Sequence, residues 1–457
     1  MKFLFKGLFD DRKFYKTLFV LALPIIIQNL LMTSLNMADT IMTGALGDKA
    51  VAAVGIGNQV TFLIQLFMIG ITAGCSIFVA QFWGNKDKEN IKKVVGIGII
   101  SSIVVSIVAM AIIMLFSKDI GRIFSHDNEV IYLAGAYLKI VMPTYFTTAI
   151  TLGLAYSLRS MEDAKSPMII SAIAVATNIV FNYIFIFGKF GIVAMGVQGA
   201  ALATLIARVI ECLLLIIIAS KNEVLRGKIK HYLEFDKAFV KEVYKSVVPV
   251  LLNEACWGVG NFLYSVAYGQ IGTEAMASVQ ICTNVQNIFM VLSMSMASAS
   301  LVIIGNKIGA GEEEKARKYG DKITVLSLII GVISGVIMIL SAPAILSLFN
   351  VSVLVKSNSI SILRIYAFLA PIRMINLVLI VGAFRGGGDA AYALKVEGLS
   401  MWLIGVPLAF IGSIFLGLTV SQVMILVSIE EIVKFLASVL RLRSGKWIKN
   451  VIATIEN

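Results

Sequence analysis

The chain has 457 residues, of which 58% are hydrophobic and only 14% charged, and its 39 Lys and Arg outnumber 27 Asp and Glu to give a formal charge of +12. Soluble domains run nearer about 45–50% apolar and about 25% charged, so this composition, with a mean hydropathy of +0.91, excludes a soluble globular protein. Four Cys, seven Pro and the lack of a Gly-X-Y period exclude disulfide-scaffold, disordered and collagen-like chains as well.

Apolar windows of around the ~20 residues that cross a hydrocarbon core of ~30 Å predict twelve transmembrane helices. They fall at residues 17–45, 52–82, 94–116, 130–157, 168–188, 192–219, 243–270, 276–305, 323–349, 360–384, 394–416 and 419–440. The fold class expected is an all-α polytopic membrane protein. The basic, aromatic opening 1–16 precedes a first span too long for a signal-peptide core and followed by no small-residue cleavage site, so that span is expected to be retained. With the N-terminus inside, 29 Lys and Arg lie on the cytoplasmic side and five outside, which places both termini in the cytoplasm of a plasma-membrane protein. The positive charge thereby finds its partner in anionic lipid rather than nucleic acid.

Span 1 carries Pro24, expected to kink the helix by removing a backbone hydrogen bond. Gln28, Met32, Asn36 and Asp39 share about 80° of one of its faces. Asp39 lies roughly 33 Å along the helix from Thr17 at ~1.5 Å per residue, and an ionisable group inside a span points to function. In span 5, Asn178 and Asn182 are spaced i, i+4 and share a face. In span 6, Thr204 follows the small-residue run GVQGAALAT, which permits close helix approach. Carboxylate, two amides and a hydroxyl form an oxygen-rich set suited to Na⁺, or to a proton held on Asp39. Span 7 bears Glu254, Trp257, Asn261, Tyr264 and Tyr268 on one face, an acid over aromatics that suits a flat organic cation. Span 8 adds the polar line Gln280, Asn284 and Asn287, with adaptable Met290, Met294 and Met296 nearby.

Other charged groups read as structural. Arg208 with Glu211, and Glu430 and Glu431 with Lys434, are local pairs near cytoplasmic helix ends, expected to be hydrated or paired, while Arg373 has no evident local partner. Cys75, Cys212, Cys256 and Cys282 sit in apolar runs as small hydrophobes. His126 and His231 fall in loops without metal-ligand spacing, so no cofactor is expected and metalloenzyme readings lapse. Other intramembrane enzyme chemistry lacks a Ser/His, Asp/Asp or HExxH constellation.

The chain also repeats. A shift of 225 aligns Pro24 with Pro249, Gly47 with Gly272, Ala50 with Ala275 and Gly84 with Gly309, and a shift of 226 lays Arg159 and Asp163 on Arg385 and Asp389. The domains expected are a cytoplasmic segment 1–16, six-helix lobes 17–219 and 243–440 joined by a basic linker 220–242, and a tail 441–457. Six spans return each lobe to its starting side, so the repeats are parallel, a plan for alternating access. No GxxxxGK[ST] loop is present to power an ATP-driven pump, leaving an ion gradient or the solute's own gradient.

LALPIIIQN and MADTIMTGALG in span 1, the following AVAAVG, AQFWGNKD after span 2, NIVFNYIFIFG in span 5, VQGAALATLIAR in span 6, VPVLLNE in span 7 and FRGGGD after span 10 resemble the multidrug and toxic compound extrusion (MATE) family. The resemblance covers roughly residues 15–445 and implies a two-lobed, V-shaped antiporter with a central cavity, exporting organic cations and drugs against Na⁺ or H⁺. By motif, Asp39, Asn178, Thr204 and Glu254 match the family's span-1 acid, span-5 asparagine, span-6 threonine and span-7 acid. Asn182 departs from members that carry a second acid there, and span 10 lacks the acid of some Na⁺-coupled members, leaving the ion open. The alternative of the same architecture is a flippase for a lipid-linked precursor, which needs a basic cavity, whereas the span-facing charges here are mainly acidic. No obligate protein partner is inferred.

Overall fold

The computed structural model describes residues 11–347, 349 and 351–456, apart from the side chains of Thr454 and Glu456; the expected N-terminal segment up to residue 10 lies outside them. Among the described residues every regular element is a helix, as a membrane interior requires of a backbone that must satisfy its own polar groups. In chain order these are α1 (Arg12–Gly44), α2 (Asp48–Gly84), α3 (Lys88–Phe124), α4 (Asn128–Val141), α5 (Thr144–Ser160), α6 (Lys165–Phe187), α7 (Val197–Lys221), α8 (Ile229–Leu233), α9 (Lys237–Gly269), α10 (Thr273–Gly309), α11 (Glu313–Ser347) and α12 (Val353–Leu377). A π-helical stretch, Val378–Phe384, continues α12. Then come α13 (Ala390–Ser400), α14 (Val406–Phe410) between π segments Met401–Gly405 and Ile411–Phe415, α15 (Val420–Ser444) and α16 (Ala453–Glu456).

Among the described residues, nine helices are long and apolar enough to cross a membrane, and the bent pair α4 and α5 makes a tenth. The other two expected spans are α9 and α15, at 33 and 25 residues. Their hydropathy is lowered by the polar groups that concern function below, Asn253, Glu254 and Asn261 on α9 and Glu430, Glu431 and Lys434 on α15. Span 4 departs from the single helix expected at 130–157. It bends by 50° between α4 and α5, where Pro143 has no N–H to donate and its ring crowds the preceding turn. The helical backbone of α1, by contrast, continues through Pro24, so the expected kink there is not a break. Helices also overrun the apolar windows: α3 and α11 begin at Lys88 and Glu313, because charged turns extend a helix beyond hydrocarbon, and Asp87 caps α3 by accepting from the Asn90 N–H at 3.0 Å.

The chain divides into two compact units. One gathers Leu23–Trp83 and Asp87–Val247, and the other is built from Val248 onward together with residues 11–22 and 84–86. In the first, Met68, Ile113, Leu138, Tyr145, Ile186 and Ala201 form a buried core. There α6 and α7 approach so closely that a Cβ on Gly199 would lie 2.7 Å from the Phe185 carbonyl carbon, the close backbone contact that small residues permit in membranes. That contact sets the register of Asn178 and Asn182 against Thr204. The linker is ordered too, with Val224 and Leu225 buried and the Tyr232 hydroxyl donating to the Leu225 carbonyl.

In the second unit Cys282, Ile362, Leu363, Ala409 and Val423 form the core. The first turns of α1 belong here. Phe14, 1% exposed, packs 4.6 Å from Tyr319, with Lys322 5.6 Å above its ring and 3.3 Å from Asp11. After α15 the chain turns at Gly445 (φ 68°) and inserts Trp447, fully buried, whose Nε1 donates to the Leu442 carbonyl at 3.1 Å. Asp389 of the FRGGGD loop is held by Arg441 and Lys449, each at 2.6 Å.

Candidate functional site

Three helices bring the span-1, span-5 and span-6 candidates together in the first unit. The i, i+4 spacing of α6 stacks Asn178 beneath Asn182, and Asn182 uses its amide N–H groups on both sides: Nδ2 donates to Asp39 Oδ1 at 2.5 Å and to Asn178 Oδ1 at 2.6 Å. Asn178 Nδ2 in turn donates to Thr204 Oγ1 at 3.3 Å, and that hydroxyl donates to the Ala200 carbonyl at 3.0 Å. Asn178 and Asn182 are 2% and 1% exposed, so the relay is dry on the α6 side. Asn182 Oδ1 is buried and has no hydrogen-bond partner among the described residues, an acceptor beside the carboxylate. Both amides thus turn an N–H toward oxygen, Asn182 toward Asp39 and Asn178 toward Thr204. Turning the Asn182 amide over would present Oδ1 to a cation resting on Asp39.

Asp39, Asn178 and Thr204 border a cavity of about 410 Å³, which Met32 and Asn36 line from the same face of α1. The facing wall is α2, through Asn58, Gln59, Thr61 and Gln65. None of these four was singled out from the sequence, although Asn58, Thr61 and Gln65 follow 3-4 spacing and form a polar stripe on an otherwise apolar helix. Tyr137 and Tyr145 fix that wall, Tyr137 donating to Asn58 Oδ1 at 3.4 Å and Tyr145 sharing a hydrogen bond with Thr61 at 3.1 Å.

Gln28 is not on the cavity. It is 7% exposed and locked into a ladder, donating to Ser171 Oγ at 2.7 Å and accepting from Arg159 at 2.6 Å, while Ser171 donates to Glu211 at 2.9 Å. Its polar partners lie on α5 and α6, beyond the reach of a single-helix periodicity. Arg208, expected to be a structural partner of Glu211, does pair with it at 2.6 Å and also lines the cavity.

The second unit treats its candidates differently. Glu254 has a resident counter-ion, Arg385 Nη1 at 2.8 Å, and Arg385, 2% exposed, also donates to Asn253. Trp257 is half-buried and Asn261 exposed, with its amide donating to the Trp257 carbonyl at 2.7 Å. Tyr264 donates to Glu430, and Tyr268 is packed in the core. Gln280 and Asn284 lie exposed on α10. Arg373, without a local partner in sequence, meets Glu431 of α15 at 3.4 Å and covers the Tyr366 ring at 4.8 Å. The hydrated option for Glu430 and Lys434 does not hold: they are 3% and 4% exposed and paired at 2.5 Å.

Comparison with known proteins joins these features. The family model MatE matches twice, over residues 24–184 and 249–411, so its two copies start on Pro24 and Pro249, the pair that opens the internal repeat. A curated relative in Bacillus subtilis, described as "Uncharacterized transporter YisQ", is 26% identical over 437 residues, covering 96% of each chain. A "Probable multidrug resistance protein NorM" of Thermotoga maritima is 25% identical, covering 96% of this chain and 95% of the relative. Among solved structures, a MATE protein in its bent conformation superposes with a TM-score of 0.84 at 22% identity over 95% of this chain and 96% of that one. A MOP superfamily transporter from Pyrococcus furiosus, described as having a binding pocket of reversed polarity, gives 0.83 at 24% identity over 94% of this chain and 96% of that one. Twelve membrane-spanning helices, a sequence repeated with its motifs in register and a family model matched once in each repeat place this chain in the MatE family of membrane transporters.

Proposed function

We propose that the chain is a secondary active exporter in the plasma membrane, both termini cytoplasmic, which exchanges small organic, mostly cationic compounds for Na⁺ or H⁺ by alternating access. The observation that carries this reading is the Asp39–Asn182–Asn178–Thr204 relay on the wall of the cavity. A carboxylate kept inside a span at this cost in hydration is explained by a cation that visits it. The Asn182 amide keeps a hydrogen-bond donor on that charge. Polar groups of α1 and α2 with Met32 and Phe62 between them offer a mixed surface for amphipathic cations. The names of the NorM relatives, each a probable multidrug resistance protein, support drugs as substrates.

The test is uptake of a fluorescent cation into proteoliposomes with Na⁺ and pH gradients imposed separately, for wild type and Asp39→Asn. Wild type is expected to respond to at least one gradient and Asp39→Asn to neither, with equal protein in the membrane. Transport by Asp39→Asn at the wild-type rate and with the wild-type gradient dependence would overturn the role of Asp39.

A further inference from the structure

The second unit buries an ion cluster that the site above does not use. Lys434 on α15 lies 2.8 Å from Glu397 Oε1 of α13 and 2.5 Å from Glu430 Oε1, one turn earlier on its own helix. The other Glu430 oxygen accepts a hydrogen bond from the Tyr264 hydroxyl of α9. Beside them Glu431 meets Arg373 of α12 at 3.4 Å and accepts from Asn376 Nδ2 at 2.9 Å.

Among the described residues, the other titratable groups around the cluster add no further positive charge to it. Tyr366 lies under the Arg373 guanidinium, and Tyr268 is within electrostatic reach of Arg373 and Glu430. Tyr392 donates to the Ala437 carbonyl, and Arg441 near it is already engaged by Asp389. Three carboxylates, Glu397, Glu430 and Glu431, therefore face two cations, Lys434 and Arg373. The side chains of Glu430 and Lys434 are 4% and 5% exposed, and those of Glu397, Glu431 and Arg373 are 13%, 18% and 27% exposed. An excess negative charge so placed is costly unless a further cation neutralises it. Two of the acids converge on one ammonium, so the imbalance lies at Glu397 and Glu430.

We propose that Glu397 and Glu430 form a second proton-binding site, which holds one proton between them and exchanges it during transport. The proton comes from bulk water onto a carboxylate oxygen and returns there, with no other bond made or broken. Tyr264 links the site to the rest of α9, since it shares a face with Trp257 and Asn261, the half-buried and exposed positions where an organic cation could rest. A cation arriving on that face restores the missing positive charge and releases the proton. The exchange step rests on the chain being a cation-coupled transporter, while the protonation does not.

The test is a pH-difference infrared spectrum of the purified full chain, in which protonated carboxyls are resolved by their C=O stretch. It is recorded for wild type, Asp39→Asn, Glu430→Gln and Glu397→Gln, with and without tetraphenylphosphonium, once that cation is shown to be transported by the wild type. The expected result is a carboxyl band that survives Asp39→Asn, is lost or shifted in at least one Glu variant, and diminishes when the organic cation is added. Loss of all such signal in Asp39→Asn, or a surviving band indifferent to both Glu variants, overturns the site. A band assigned to the Glu pair but unmoved by the organic cation overturns the exchange and leaves the proposal for Asp39 intact. Removal of the band by Na⁺ at constant pH would make Na⁺ the ligand and overturn the proton assignment.

Discussion

Asn182 Nδ2 lies 2.5 Å from Asp39 Oδ1, so the carboxylate's hydrogen-bond partner is a neutral amide. The relay thereby carries one formal negative charge, and its neutral partner can turn either a donor or an acceptor toward it. Replacing Asn182 with Asp puts two carboxylates within hydrogen-bond distance, where they cannot both remain charged without a proton or a cation between them. Asn182→Asp is expected to bind the coupling cation more tightly and to shift the pH or Na⁺ dependence of transport. Gradient-dependence profiles that overlay those of the wild type would show that the two residues do not act as one site.

The Glu254–Arg385 pair predicts a stability effect distinct from a transport effect. Arg385 is 2% exposed, and removing one partner of a buried pair leaves the other uncompensated, at a cost of about 3–5 kcal/mol. Glu254→Gln and Arg385→Gln are each expected to lower the unfolding midpoint in detergent, and the double variant to recover a large part of the loss. A double-mutant cycle with coupling near zero would place the two charges in independent environments.

At Gly199, any side chain meets the backbone of α6. Gly199→Ala is expected to cost about 1–3 kcal/mol through overpacking and to weaken transport out of proportion to its size, because parting α6 from α7 stretches the contact between Asn178 and Thr204. Thermal unfolding and dye efflux measured on the same preparation check both halves.

On the surface, the N-cap of α4 gives a pH-dependent contribution of known sign. The backbone N–H of Glu129, and then Lys49, hold the Asp127 carboxyl below its usual range. A carboxyl depressed by folding stabilises the fold above its unfolded value and loses that contribution as pH falls through the folded one. Asp127→Asn keeps a capping acceptor and removes the charge, so a small drop in unfolding midpoint at neutral pH is expected to vanish in acid. A difference that persists unchanged at low pH would exclude the charge as its cause.

The transmembrane helices were legible because hydrophobic runs report burial in lipid directly, and Asn178 with Asn182 because a single helix carries both at one turn's spacing. Span 4 misled for the same reason: its apolar window runs past Pro143, and hydropathy does not register a missing N–H. Partners on different helices left no such trace. Glu254 and Arg385, Arg373 and Glu431, and Glu397 and Lys434 are joined only by packing; from its own helix Arg373 read as a base without a partner, and Glu431 and Lys434 read as partners of each other. The aromatic face of α9 was therefore legible as a stripe, while the bonding of Tyr264 to Glu430 was not. Asn58, Thr61 and Gln65 could have been found, since their spacing is regular, but they carry no charge to draw notice.

The start of α1 bears on the order in which the molecule assembles. Phe14 and Asp11 take their places against Tyr319 and Lys322, more than 300 residues later in the chain, the Asp11–Lys322 contact spanning 311. Translation runs from the N-terminus, so the first turns of α1 wait for partners made later, while Asp39 on the same helix finds Asn182 much sooner. One helix thus matures in two episodes, its later turns with the first unit and its earlier turns after α11 has arrived. A chain interrupted between the units would leave Phe14 without Tyr319 and Asp11 without Lys322.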